Sequence, residues 1–171
     1  MDRRLVHDEL ERVRADFRKL VESADDDALR RPSNGTRWNN RQLLFHMLLG
    51  YLITRALLGL VRIFGRLPRG ASRVYANVLN AATPAFDEVN FLGSWAAGHT
   101  VSPARMAVML DHTVDKLHRR LDAETDADLA RSMHYPTRWD PYFKDYMTLA
   151  DVYHFPTQHY DFHRRQLTLD E

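Results

Sequence analysis

The chain has 171 residues, 44% of them hydrophobic and 27% charged, which is ordinary for one globular domain with a buried core. Its 24 basic and 23 acidic residues leave a formal net charge of +1, so whole-chain charge gives no pull toward nucleic acid, and no nucleic-acid partner is expected. Cysteine is absent, which excludes disulfides, thiolate metal ligands and a cysteine nucleophile; a metal site built by the protein must use His, Asp or Glu.

The opening MDRRLVHDELERVRADF is charged throughout and lacks the apolar run of a signal peptide, so a cytoplasmic location is expected. Residues 2–23 read as an amphipathic helix. Leu5, Val6, Leu10, Val13, Phe17, Leu20 and Val21 keep helical spacing, and His7 falls on the polar side. Asp25–Asp27 and the following RPSNG end it in a loop. Asn39 or Asn40 then caps a second helix that runs to about Phe64. Its segment LLFHMLLGYLITRALLGLVRIF is about long enough to cross a membrane. It carries His46, Arg55 and Arg62, however, and charges at mid-membrane are costly. At about 100° per residue, Arg41, Arg55 and Arg62 share one stripe roughly opposite His46. That pattern predicts a deeply packed bundle helix and no membrane partner.

Gly65, Pro68 and Gly70 break the second helix. Val74, Val78 and Leu79 predict a short helix, Pro84 starts another, and Asn90–His99 reads as loop. Ser102-Pro103 is a strong helix start. The helix from 103 to about 122 buries Met106, Leu110, Val114, Leu117 and Leu121, while Asp111, His112, Asp115 and His118 read as a solvated face. Residues 125–132 add a short turn of helix, and TRWDPYFKDY reads as an aromatic loop. Thr148, with Asp151 three residues later, caps the last helix, which runs to about Leu169 with a kink or break expected near Phe155, ahead of Pro156. No stretch alternates as a strand does. The tripeptide TRW occurs at 36–38 and 137–139, too short to count as a repeat. The expected architecture is all-α, one domain over residues 1–171, with four main helices and a variable insertion between the second and third.

Nine histidines remain to be placed. On the last helix His159, His163 and Gln166 form one narrow face, with Asp161 and Arg164 opposite. An i, i+4 histidine pair on a helix is a metal-binding geometry; the plain alternative is two half-exposed polar residues at a fraying end. His46 lies among Leu43, Met47, Leu49, Gly50 and Ile53, where a buried imidazole must be hydrogen-bonded or ligated. A lone core histidine is more often hydrogen-bonded than ligating, yet His46 is the best candidate for a third ligand because bundle metal sites use inward side chains of facing helices. His99 and His134 fall in loops near a possible pocket mouth. His154 points away on a straight helix and stays a reserve ligand or supporting donor.

TRWNNRQLLFHMLLGY, with Trp38 ahead of a helix bearing His46, and TQHYDFHRRQL, with His159, His163 and Gln166, together resemble the DinB/YfiT-like superfamily of small four-helix-bundle metalloproteins. The resemblance spans effectively the whole chain; residues 65–100 depart from the generic pattern. It implies an up-down-down-up bundle and a divalent metal (zinc, nickel or iron) held by His46, His159 and His163. Gln166 is assigned to cofactor binding, orienting a ligand or an imidazole. The family includes bacillithiol S-transferases, mycothiol-dependent isomerases and many members of unknown activity. The implied function is a metal-dependent enzyme that activates a low-molecular-weight thiol, of mycothiol or bacillithiol type, against an electrophilic small molecule. Metal-dependent hydrolysis is the runner-up. A non-catalytic metal- or ligand-binding bundle, as a homodimer with part of the second helix in its interface, is the remaining alternative. No catalytic residue is assigned: no carboxylate is clearly placed, and Asp87, Glu88 and Asp151 are left out of the catalytic set.

Overall fold

The computed structural model describes residues 1–169; Asp170 and Glu171, the last two residues of the expected domain, lie outside the described residues. Among the described residues the chain is all-α apart from one two-stranded sheet. Helix α1 (Arg3–Ser23) starts where Asp2 accepts hydrogen bonds from the Arg4 and Leu5 amides. It buries Val6, Leu10, Val13, Phe17 and Leu20, an i, i+3/i+4 stripe; Leu5 faces outward. A short α2 (Asp26–Arg30) precedes α3 (Asn40–Phe64). Asn39 caps α3 in a reciprocal box with Gln42. Helix α3 is long and apolar enough to cross a membrane, but more than half of its apolar stretch is buried within the fold, as expected of a bundle helix.

The insertion is more regular than its sequence predicts. Helices α4 (Arg69–Ala81) and α5 (Thr83–Thr100) fill it, so Asn90–His99 is helix rather than loop. Gly65 ends α3 as expected, whereas Gly98 lies inside α5 and serves contact. A Cβ on Gly98 would stand 2.8 Å from Gln42 Cα, so only glycine lets α5 press onto α3 there. Helix α6 (Pro103–Asp122) begins at the Ser102 cap, and α7 (Asp126–Leu129) supplies the expected extra turn. Strands β1 (Ser132–His134) and β2 (Tyr146–Thr148) pair antiparallel and clamp the aromatic loop between them. At three residues each they are too short to show alternation.

Helix α8 (Leu149–Arg164) starts at the Thr148–Asp151 box and continues through Pro156 without the expected break. Packing against both α3 and α1 holds the helix across the one hydrogen bond that proline cannot donate. It ends at Arg164, five residues earlier than its periodicity predicts. The tail turns back instead: the Asn34 amide donates to Gln166 O at 2.7 Å, and the Thr168 amide donates to Asn40 Oδ1 at 3.0 Å.

Helices α1, α3, α6 and α8 close a ring of contacts, α1 on α6 and α8, and α3 on α6 and α8; α5 lies against α3 outside that ring. The face of α6 expected to be solvated is used in the α1 contact. Asp111 and Asp115 pair with Arg14 and Arg18, and His118 stacks on His7 at 4.7 Å; of the four residues only His112 is exposed. At the far end Glu124 is buried, paired with Arg62 of α3 and Arg120 of α6, and it accepts from Tyr153 Oη of α8 at 3.1 Å. Removing one partner of such a cluster leaves the others unpaired in a dry place. Glu124→Ala is therefore expected to cost about 2–4 kcal/mol in urea denaturation. A loss under about 1 kcal/mol would show the cluster to be dispensable.

Candidate metal centre

Helices α3 and α8 carry the three histidines that the sequence singles out, and the fold brings them together. Ring centroids lie 4.9 Å apart for His46–His159, 4.6 Å for His46–His163 and 4.6 Å for His159–His163. One nitrogen from each ring lies within 4.8 Å of the other two. The crowding depends on Gly50, whose Cβ, if present, would stand 2.6 Å from His159 Cδ2. Any side chain there would push α8 or the imidazole aside.

Each ring is held by its outer nitrogen. His159 Nδ1 is 2.8 Å from Asp140 Oδ2, His163 Nδ1 is 2.7 Å from Gln166 Oε1, and His46 Nδ1 is 3.3 Å from Ser94 Oγ. The carboxylate and the amide oxygen can only accept, so His159 and His163 carry their protons on Nδ1 and offer Nε2 lone pairs inward. The Ser94 hydroxyl serves either tautomer of His46. Trp38 stacks on the His46 ring at 4.4 Å and fixes its plane. Inside, His46 Nε2 and His163 Nε2 stand 3.1 Å apart, while His159 Nε2 is buried with no partner among the described residues. A cation about 2.1 Å from two tetrahedrally arranged imidazoles sets their nitrogens about 3.4 Å apart. The donor set and its spacing fit such an ion.

Burial, reinforced by the neighbouring imidazoles, lowers the His46 pKa well below its ordinary value. The same two causes push His163 down to about 4, against a smaller opposing effect of Gln166. Both rings are thus neutral at pH 7, the form that ligates metals.

A cavity of about 390 Å³ opens over the three rings. Its walls are largely aromatic, from Trp38, Phe86, Trp139, Phe143, Phe155 and Phe162, and Asp140 and Asn90 are its polar contributions besides the histidines. Both tryptophans of the duplicated TRW tripeptide therefore face one cavity, Trp139 stacked on Phe86 at 3.9 Å. A second, more open groove of about 630 Å³ adjoins it, sharing Trp38, Asn90, Phe162 and His163 and lined further by Arg37, Asp87 and Gln166.

Other candidates lie elsewhere. His154 Nδ1 is held by Glu9 of α1 at 2.8 Å. His99 sits in the last turn of α5, bonded to Trp95 O, and His134 is buried in β1 beside Asp145; neither lines the cavity. Among the nominated carboxylates, Asp151 is consumed by the α8 cap, Glu88 pairs with Arg37 at 2.9 Å, and Asp87 reaches only the outer groove. The carboxylate that does reach the site, Asp140, is in the aromatic loop, and no spacing to a histidine marks it. Ser94 was hidden by the reading of its segment as loop.

Fold and site together define an all-α protein with a buried three-imidazole cluster able to hold a divalent cation. A family model of the DinB superfamily matches residues 9–167, and the chain belongs to that superfamily. No curated protein and no solved structure matches the chain.

The lowered imidazole pKa values set a pH dependence for metal-free protein. In the unfolded chain these rings protonate near pH 6.5; in the folded one they resist protonation until about pH 4 for His163. Below 6.5 the unfolded state binds more protons, so stability is complete above that pH and falls as pH drops toward 4. The urea midpoint of the metal-free protein should decline over that window, and His163→Gln should flatten the decline. A midpoint independent of pH between 6.5 and 4 would contradict the assignment.

Proposed function

We propose that this protein is a metal-dependent enzyme that activates a low-molecular-weight thiol, of mycothiol or bacillithiol type, for attack on a small apolar electrophile. The observation that carries this reading is the convergence of three imidazoles, each pinned through Nδ1, on the floor of an aromatic cavity. His46, His159 and His163 would hold the ion, and three protein ligands leave a position open, as catalytic rather than structural sites do. When bound, the divalent cation supplies Lewis acidity that makes a thiol or water beside it easier to deprotonate.

The chain's own residues supply the rest. Asp140 and Gln166 orient His159 and His163, and Ser94 and Trp38 orient His46. The aromatic walls exclude bulk water and accept an apolar substrate. The adjoining groove, with Arg37, Asp87, Asn90 and Gln166, offers polar contacts for the hydrophilic body of a thiol cosubstrate whose sulfur reaches His163. That groove favours thiol transfer over hydrolysis, because water needs no such seat. The sulfur must come from a cosubstrate, since the chain has no cysteine. Zinc, nickel and iron all suit imidazole ligands.

Elemental analysis of protein purified without chelator should find about one divalent ion per chain, and none in His163→Ala. Asp140→Asn should retain the fold and bind the ion about 10–100-fold more weakly. Equal metal content in wild type and His163→Ala would remove the centre from the proposal. The loaded protein should consume thiol in the presence of an apolar electrophile. Ester or amide cleavage without thiol would instead establish a hydrolase, and metal binding with neither reaction would establish a binding module.

A further inference from the structure

The inserted helices are amphipathic the wrong way round for a core. Toward the fold, α4 buries Ser72 and Ala76, and α5 buries Thr83, Ser94 and Gly98. Outward, α4 shows Val74, 65% exposed, and Val78, 61% exposed, while α5 shows Val89, Leu92 and Trp95. At the corner where α3 meets α4, Ile63 and Leu67 are exposed as well. Apolar surface gathered in this way marks an interaction site.

Charge says what covers the corner. Residues 28–86 contain nine arginines and not one Asp or Glu, within a chain whose net charge is only +1. Arg66, Arg69 and Arg73 are exposed at this corner and make no ion pair among the described residues. On α4, Arg69 and Arg73 share one face, and Val74 and Val78 share another whose centre lies about 140° round. A basic stripe beside an apolar stripe is the pattern of a helix lying in a membrane interface. A polar cavity of about 380 Å³ opens at the same corner, lined by Arg69, Ser72, Arg131, Ser132 and Tyr146. Arg131 spends one amino group on Asp128 at 3.2 Å, and its Nη1 is buried without a partner among the described residues.

We propose that the α3–α4 corner and the outer face of α4 dock this protein on an anionic phospholipid surface, the valines entering the interface and the arginines meeting headgroup phosphates. The protein lies on the bilayer without spanning it, because α3 is committed to the bundle core. The expectation of no membrane partner rested on a test for spanning, which does not weigh a local face. A second copy of the chain fits less well, since a two-fold axis through the corner would set arginine against arginine. A polyanion such as RNA would leave Ile63, Leu67, Val74 and Val78 exposed.

Co-sedimentation with vesicles tests this, using phosphatidylcholine alone and phosphatidylcholine with about 30% phosphatidylglycerol. Binding is expected only to the anionic vesicles, with reversal in high salt. Each arginine near such a surface strengthens binding about fivefold, so Arg66→Gln/Arg69→Gln/Arg73→Gln should lose about 100-fold in partitioning. Val74→Ser/Val78→Ser should weaken it with all charges kept, and unchanged far-UV circular dichroism should show both variants folded. The proposal is overturned by failure to bind anionic vesicles or by equal partitioning of the arginine variant. It is equally overturned if these substitutions disrupt a dimer or an RNA complex and vesicles are not bound.

Discussion

Three imidazoles buried at one spot impose the constraint that the rest of the structure answers. A neutral imidazole carries one N–H and one lone pair, and in a dry interior each needs a partner. The outer nitrogens are satisfied by Asp140, Gln166 and Ser94. The inner ones are not: His46 and His163 have at best one hydrogen bond between them, and His159 Nε2 has none. A bound cation would satisfy all three lone pairs at once. The same arrangement is expensive as plain core, because a histidine is then a poor filler for an aromatic pocket and its neighbours raise the cost.

The supporting contacts come from segments that lie far apart in the chain. Ser94 is delivered by α5, which reaches α3 only because Gly98 lets the backbones close. Asp140 is delivered by the loop that β1 and β2 clamp. Gln166 is delivered by a tail tied to residues 34 and 40. Gly50 then admits His159 against α3. The insertion, the miniature sheet and the early end of α8 are thus conditions of the site, although none belongs to the four-helix ring.

This division explains what the sequence reveals. The main helices were legible because their signals are local: the Asn39, Ser102 and Thr148 caps, the stripe from Val6 to Leu20, and the i, i+4 pair His159–His163. His46 was legible because an imidazole in an apolar run demands an explanation. Asp140 and Ser94 were not, because their partners are set by packing, and neither stands at a telling spacing from a histidine. Asn90–His99 was not legible as helix because α5 turns small residues, Ser94 and Gly98, toward α3, so no apolar stripe marks its buried side. Pro156 misled because the rule for an isolated helix ignores the packing of α8 on both α1 and α3. The outward apolar faces of α4 and α5 gave their segments an ambiguous pattern for the same reason: periodicity locates a stripe without saying what it faces.

Charge bookkeeping at the centre narrows the chemistry. A divalent ion would bring two positive charges, against one negative from the Asp140 carboxylate beside His159. Trp38, Phe86, Trp139, Phe143, Phe155 and Phe162 supply none, and burial keeps His46 and His163 from adding any. With a divalent ion bound, one positive charge would be left inside aromatic walls, where it would be poorly solvated. The ligand that best relieves it is a monoanion on a small body. A thiol that has given up its proton meets that requirement, and so does hydroxide; a neutral carbonyl meets it less well. On the proposed reading, a hydrophilic thiol would place its sulfur inward and its polar groups along the strip at Arg37, Asp87 and Gln166.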